Sequence, residues 1–238
     1  MDGLTGSPLI VALDHRDPGA ALACVEVLGK DVRCYKVGSV LFTRAGPALV
    51  RRLTDRRLGV FLDLKFHDTP VTVAGAVESA LDLGVELLTV HASGGTAMIG
   101  AARSAVDRSG SPARLLAVTV LTSLGDAELE QIAGPGSRTL AESVLALARL
   151  ALDAGAHGLV ASAGEAAALR ALAGLEPPIV VPGIRPSWSA ADHRGQVRTA
   201  TPAEALRAGA SHLVLGRAVT QAPDPADAVR RIRAEIAA

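Results

Sequence analysis

Eight short apolar runs alternate with eight segments of helical pattern along the chain, and this alternation restricts the fold more than any other feature. The runs are rich in Val, Leu, Ile and Ala, which is typical of parallel strands covered on both faces. Strands are predicted at 8–13, 32–37, from 59 onward, and at 86–90, 115–121, 157–161, 178–181 and 211–215. Helices are predicted at 19–29, 45–57, 70–83, from after Gly95 to about 106, and at 139–154, 164–173, 202–209 and 225–237.

This pattern predicts an α/β protein with a single (β/α)₈ TIM barrel as one catalytic domain over residues 1–238. An open doubly wound sheet is the alternative, although no Gly-x-Gly-x-x-Gly motif follows the first strand. The segment 185–200 is long, polar and without periodicity, and long loops in compact domains often act as lids.

Charge and cysteine usage limit the class of partner and the compartment. The chain has 24 basic and 24 acidic residues, so no net field attracts nucleic acid or an anionic membrane. The two cysteines have neither metal-ligand spacing nor the number needed for a disulfide framework, which favours a reducing compartment. There is no signal-peptide pattern and no uncharged apolar run of membrane-spanning length. We therefore expect a soluble, cytoplasmic protein.

Three charged residues interrupt the third strand and the turn that follows it. Asp63 and Lys65 are two residues apart, so their side chains point to the same face of a strand, and Asp68 comes just before a helix start at Thr69-Pro70. A surface salt bridge is the ordinary explanation of such a pair. Charges on an otherwise buried strand are costly unless they are paired or used, so we favour a functional site.

In a barrel the carboxyl ends of all strands converge on one mouth. Pro-Gly-Ile-Arg after the seventh strand and Gly-Arg after the eighth offer backbone N–H groups and guanidinium groups, which is the usual phosphate site of this fold. The ligand is therefore expected to be a sugar phosphate or a nucleotide. The residues expected at the mouth are Asp14, Lys36, Asp63, Lys65, His91, Thr122, Ser162, Gly183, Gly216 and Arg217. Of these, His91 is expected to have a structural role rather than a catalytic one.

Several motifs together resemble the orotidine 5′-phosphate decarboxylase family over nearly the whole chain. They are Val-Ala-Leu-Asp at 11–14, Tyr-Lys-Val-Gly at 35–38, Asp-Leu-Lys-Phe-His-Asp at 63–68 with Pro70 and Thr72, Val-Thr-Val-Leu-Thr-Ser at 118–123, Pro-Gly-Ile-Arg-Pro at 182–186 and Val-Leu-Gly-Arg-Ala-Val-Thr at 214–220. The sequence departs from the family at Val71, where Asn is usual, and at 192–195, where acidic residues usually precede the Gln that aligns with Gln196.

The resemblance implies a lyase that converts orotidine monophosphate to UMP and CO₂ in de novo pyrimidine synthesis, without a metal or an organic cofactor. It implies that Lys65 protonates the ring carbon and that Asp63 lies against the substrate carboxylate. It further implies a homodimer with sites shared across the interface, where Lys36 and Asp68 complete the charged array and Asp68 and Thr72 come from the other subunit. The remaining substrate contacts implied are Asp14 and Lys36 to the ribose, Thr122 near the pyrimidine, and Arg185, Gln196, Gly216 and Arg217 at the phosphate.

Two other readings stay open at this point. Hexulose-phosphate synthases and keto-gulonate-phosphate decarboxylases have an Asp-x-Lys-x-x-Asp motif similar to that of this chain. Both kinds of enzyme use a metal ion and have Glu, not Lys, near the end of the second strand. Lys36 argues against them, because an ammonium there would repel a divalent cation. The second alternative is a barrel that binds a sugar phosphate without catalysis, although such a site is expected to lose its charges first.

Overall fold

A computed structural model describes residues 7–188 and 199–237. Its eight strands are parallel and form a closed barrel in sequence order, with β8 pairing to β1. The barrel prediction is thus confirmed, and the open sheet is wrong. The strands are β1 Leu9–Ala12, β2 Cys34–Gly38, β3 Gly59–Phe66, β4 Leu87–His91, β5 Arg114–Val118, β6 Gly158–Val160, β7 Ile179–Val181 and β8 His212–Leu215.

Helices follow the strands and cover the outside of the barrel. They are α1 Pro18–Leu28, α2 Ser39–Thr54, α3 Pro70–Leu81, α4 Gly95–Ser109, α5 Asp126–Ala133, α6 Leu140–Asp153, α7 Ala163–Ala173, α8 Pro202–Arg207, α9 Arg217–Thr220 and α10 Pro225–Ala237. Within the described residues, no helix is both long enough and apolar enough to cross a membrane.

Three helices differ from the sequence-based expectation. The second is predicted from residue 45, whereas Ser39–Thr54 contains two helical segments joined at Gly46, whose φ of 61° is not helical. The segment before Gly46 is the part that the sequence analysis missed. The short helices α5 and α9 were not predicted, since each is too short to give a clear 3.6-residue apolar period.

The strands are buried on both faces, as their apolar composition predicts. Alternate residues point into the barrel, where ten side chains form a closed interior cluster. The other faces pack against the helices in a larger core. On β3 the inward row runs from Phe61 to Asp63, so regular alternation carries a charged side chain to the mouth of an otherwise apolar interior. The interior cluster contains Ile10, Ala12, Cys34, Phe61, Leu87, Leu116, Val118, Val160, Val180 and Val214.

The pairing of β3 with β4 is irregular beside this row. Leu62 pairs with Leu88, but the next pair is Phe66 with Val90, so residues 63–65 lie opposite Thr89 alone. Lys65 has φ of 52°, a left-handed conformation that residues with a Cβ atom rarely adopt. The bulge therefore lies at the site of the sequence-predicted charges.

Candidate active site

A cavity of about 420 Å³ opens at the carboxyl ends of the strands, and we call it the mouth pocket. Its floor is the apolar interior of the barrel, and its walls carry charged side chains from the ends of five strands, β1, β2, β3, β7 and β8. The lining residues are Ala12, Asp14, Lys36, Phe61, Asp63, Lys65, Val118, Val120, Leu121, Thr122, Val160, Pro182, Gly183, Arg185, Val214, Gly216 and Arg217. Eight of the residues predicted to act on or bind substrate are therefore together: Asp14, Lys36, Asp63, Lys65, Thr122, Arg185, Gly216 and Arg217.

Four of these residues form a row of alternating charge, which we call the charged row. Lys36 Nζ donates to Asp14 Oδ1 at 3.0 Å and lies 3.5 Å from Asp63 Oδ2. Lys65 Nζ donates to Asp63 Oδ1 at 2.8 Å. Each oxygen of Asp63 thus faces a different ammonium group, and the expectation that Asp63 and Lys65 share a face is confirmed.

Burial and opposite charges compete to set the protonation of the inner pair. Burial alone would lower the pKa of Lys36, but Asp14 and Asp63 raise it above its ordinary value. Burial likewise opposes ionisation of Asp63, but Lys36, Lys65 and the hydrogen bonds from Lys65 and Thr89 lower its pKa below the ordinary value. Both groups are therefore charged at neutral pH, which preserves the alternation of positive and negative charge along the charged row.

Thr89 on β4 is a site residue that the sequence analysis missed. It is fully buried, its hydroxyl donates to Asp63 Oδ1 at 3.2 Å, and it accepts the backbone N–H of Lys65 at 2.8 Å. A single Thr in an apolar strand gives no recognisable signal in a sequence, because Thr is a common residue in strands of any function. Only the register of the bulge shows which groups it touches.

The other side of the mouth pocket is built from the ends of β7 and β8. Gly183 has φ of 79°, which turns the chain sharply after β7 and brings Arg185 to the pocket. The Arg185 backbone N–H donates to the Ala200 carbonyl at 2.8 Å, so the two ends of the long segment meet there. Gly216 precedes the one-turn helix α9, which begins at Arg217. Gln196 lies outside the described residues.

Other predicted residues lie away from this pocket. Asp68 is exposed on the turn after β3, where its carboxylate accepts the Thr69 N–H at 2.6 Å. Thr72 is exposed in the first turn of α3, with its hydroxyl 3.0 Å from that of Thr69. One subunit alone therefore does not bring them to the charged row.

Two residues expected at the mouth have local partners instead. His91 Nδ1 lies 2.7 Å from the Ser93 hydroxyl, and burial lowers the pKa of His91. The Ser162 hydroxyl bonds to Glu165 in the capping box of α7. Neither His91 nor Ser162 lines the mouth pocket, so the expected place of Ser162 in the constellation is wrong. The local partner of His91 agrees with the structural role expected for it.

Metal-ligating side chains are not grouped in the described part of the chain. No three His, Cys, Asp or Glu residues there are close enough to hold a metal ion. Cys24 and Cys34 are both free thiols and both buried. The polar side chains that line the mouth pocket carry ammonium, carboxylate, guanidinium and hydroxyl groups.

Comparison with known proteins gives consistent matches over nearly the full length. The model of the family described as "Orotidine 5'-phosphate decarboxylase / HUMPS family" matches residues 7–232. The chain is 49% identical to the orotidine 5′-phosphate decarboxylase of Nitrosococcus oceani, over 97% of each chain. It is 50% identical to that of Chromohalobacter salexigens, over 97% of this chain and 96% of the relative. A crystal structure of orotidine 5′-phosphate decarboxylase from Lactobacillus acidophilus superposes with a TM-score of 0.85 at 37% identity, covering 97% of this chain and 99% of that one.

Proposed function

Because the chain belongs to the orotidine 5′-phosphate decarboxylase / HUMPS family, we propose that its mouth pocket converts orotidine monophosphate to UMP and CO₂ in de novo pyrimidine synthesis. The observation that carries this proposal is the contact between Lys65 and the buried Asp63 at one end of the pocket, with Arg185 and Arg217 also lining it. A proton donor and a carboxylate thus share a small pocket with groups suited to bind a phosphate. The whole chain would work as one catalytic domain.

The reaction breaks the bond between the ring carbon and the carboxylate, and the electron pair stays on that carbon. The Lys65 ammonium stabilises this negative charge as it develops and then donates a proton to the carbon, so a C–H bond replaces the C–C bond. The neutral amine recovers its proton from solvent. Fixed charges do this well because they need no rearrangement when the transition state forms.

Asp63 has two tasks in this scheme. It faces the substrate carboxylate, so that repulsion is relieved as CO₂ departs, and it holds and aims the Lys65 ammonium at 2.8 Å. Lys36 supports Asp63 from the opposite oxygen and also reaches Asp14, which is 61% exposed and can turn toward the ribose hydroxyls. Thr122 lies in the pocket wall, where it would contact the pyrimidine.

The phosphate would lie between the ends of β7 and β8. Arg185, Arg217 and the Gly216 backbone supply guanidinium and N–H groups there, and Gln196 would add an amide from the long segment. Binding energy from the remote phosphate can then be used to hold the reacting ring against the charged row.

We further propose a homodimer in which Asp68 and Thr72 complete the pocket of the other subunit. This proposal is supported by exposed apolar side chains at the same end of the barrel. Val71 lies between these two residues and is 85% exposed, and Val40, at the start of the neighbouring helix α2, is 54% exposed. A partner surface would remove both from water and bring Asp68 near a second charged row.

A cytoplasmic location is proposed from the pathway and from the two free cysteines.

One residue favours orotidine decarboxylation over the metal-dependent reactions of hexulose-phosphate synthases and keto-gulonate-phosphate decarboxylases. Lys36 occupies the strand-two position where those enzymes carry an acidic metal ligand, and its ammonium lies 3.5 Å from Asp63. A divalent cation bound to Asp63 would be repelled by this ammonium.

The test is loss of orotidine monophosphate absorbance in the presence of excess EDTA, with a hexulose phosphate as the competing substrate. We expect full orotidine turnover in the chelator and none with the hexulose phosphate. Activity that disappears in EDTA and returns with Mg²⁺ would overturn the proposal.

A further inference from the structure

Thr89 connects the two reacting side chains from behind the mouth pocket. It is fully buried and is not part of the pocket lining, so substrate does not reach it. Its hydroxyl nevertheless contacts the carboxylate of Asp63 at 3.2 Å and the backbone of Lys65 at 2.8 Å. The residue therefore touches both members of the pair without touching the ligand.

The direction of these two hydrogen bonds is fixed by chemistry. A hydroxyl group has one proton to donate, and the Lys65 N–H can only be a donor. The Thr89 oxygen must therefore accept from Lys65, which leaves its own proton for Asp63 Oδ1. The same carboxylate oxygen also accepts from the Lys65 ammonium, so Thr89 and Lys65 Nζ together restrict the rotation of the Asp63 carboxylate.

The backbone of Lys65 needs such a partner. Residues 63–65 form the bulge opposite Thr89, where the regular ladder of β3 with β4 is interrupted. Lys65 also has φ of 52°, a conformation that is retained only where the surroundings hold it. The Thr89 hydroxyl satisfies the Lys65 N–H at this position and thereby anchors the base of the side chain that would donate the proton.

We propose that Thr89 is a positioning residue for the decarboxylation, holding the Asp63 carboxylate and the Lys65 backbone in the geometry that aims the ammonium at the reacting carbon. This inference rests on the proposed function. A positioning residue differs from an ordinary core threonine. Loss of a core threonine would lower stability and the fraction of folded enzyme, but it would not lower the rate at a correctly assembled site.

The test compares Thr89→Val, which keeps the shape and removes the hydroxyl, with Thr89→Ser, which keeps the hydroxyl. The rate is expressed per UMP-binding site, counted by calorimetry, so that misfolded protein is not included. We expect kcat to fall about 10- to 100-fold in Thr89→Val, the scale of one lost hydrogen bond to a charged group, with KM changed less than about threefold. Thr89→Ser should stay within about threefold of the unmodified enzyme.

Thr119→Val is the matched control. Thr119 is also fully buried, but its hydroxyl donates to the Val160 carbonyl at 3.4 Å and its side chain does not line the mouth pocket. Its kcat per site should be unchanged, even if its stability falls. If Thr89→Val gives no folded protein, Thr89→Ala is the second variant, because it removes the same hydroxyl and adds no methyl group in its place. The same loss of kcat is expected.

Three results would overturn the inference. They are a normal kcat per site in the variant without the hydroxyl, an equal loss in Thr89→Ser, or a rise in KM with kcat unchanged. An unmodified enzyme that does not decarboxylate orotidine monophosphate would instead refute the proposed function, so the two failures are distinguishable.

Discussion

The substitution Asp63→Asn tests the charged row most completely, because it removes one charge and keeps the shape of the side chain. Asp63 is the centre of the row: Lys65 lies 2.8 Å from one oxygen and Lys36 lies 3.5 Å from the other. Its side chain is only 12% exposed, so water cannot replace the lost interactions. The variant leaves two ammonium groups beside a neutral amide.

The expected loss of stability follows from the burial of each partner. Removing one member of a buried ion pair typically costs about 3–5 kcal/mol of unfolding free energy. The Lys65 side chain is 35% exposed and Lys36 keeps Asp14 at 3.0 Å, so we expect a smaller loss, about 2–3 kcal/mol. In a chain of this length that corresponds to a Tm lower by about 5–10 °C.

The expected loss of activity is of similar size in free energy. One charged hydrogen bond is worth about 1.5–3 kcal/mol, which corresponds to a kcat lower by about 10- to 150-fold. Binding of the anionic substrate should not weaken in Asp63→Asn. The variant lacks the Asp63 carboxylate, which in the proposed mechanism repels the carboxylate of the substrate. The expected signature is therefore a low kcat with an equal or lower KM.

The pH dependence of the stability difference has a definite sign. The pKa of Asp63 is lowered in the folded protein, so its contribution is complete above the unfolded value of about 3.9 and is lost as the pH falls through the lower folded value. The pKa of Lys36 is raised, so its contribution is complete below the unfolded value of about 10.4 and is lost as the pH rises through the higher folded value. The difference between the two proteins should therefore be constant from about pH 5 to 9.

The assay is urea unfolding of both proteins across this pH range, together with kcat and KM for orotidine monophosphate. Asp107→Asn is the matched control, because Asp107 pairs with Arg103 at 2.8 Å on the surface of α4 and is 56% exposed. That variant should lose less than about 1 kcal/mol. Equal unfolding free energies for Asp63→Asn and the unmodified protein at pH 7 would refute the reasoning.

Three further predictions concern the rest of the site. Arg217→Ala should cost about 2 kcal/mol or more in kcat/KM for orotidine monophosphate but little for the phosphate-free nucleoside, and equal losses for both would show that Arg217 does not hold phosphate. Mixing inactive Lys65→Ala with inactive Asp68→Ala should restore activity, because some sites in the mixed dimer are intact; mixed dimers that form and stay inactive would contradict a shared site. Val71→Asp should raise the dissociation constant of the dimer in sedimentation experiments by at least tenfold, about 1.4 kcal/mol, whereas an unchanged constant would place the interface elsewhere.

The barrel and half of the site could be predicted from the sequence for simple physical reasons. Parallel strands that are buried on both faces must be almost entirely apolar, so Asp63 and Lys65 were conspicuous in β3. Because strand ends converge in a barrel, charges after separate strands could be placed together without coordinates. Asp14, Lys36 and Arg217 were placed at the mouth pocket by this argument.

The remaining features depend on information that a linear pattern does not contain. The role of Thr89 follows from a register shift, and the left-handed backbone of Lys65 follows from the same bulge. His91 was placed at the mouth because it ends β4, but its ring bonds to Ser93 nearby. The part proposed for Asp68 requires a second subunit, so it stays a prediction.

The central claim is that Lys65 delivers the proton at the end of β3, and single-turnover decarboxylation by Lys65→Ala tests it most directly. The variant removes the ammonium but keeps Arg185 and Arg217, the side of the pocket proposed to bind the phosphate. We predict loss of nearly all turnover, while the dissociation constant for UMP changes by less than about tenfold, or about 1.4 kcal/mol. A variant that binds UMP and still decarboxylates orotidine monophosphate at more than a tenth of the normal rate would contradict the claim.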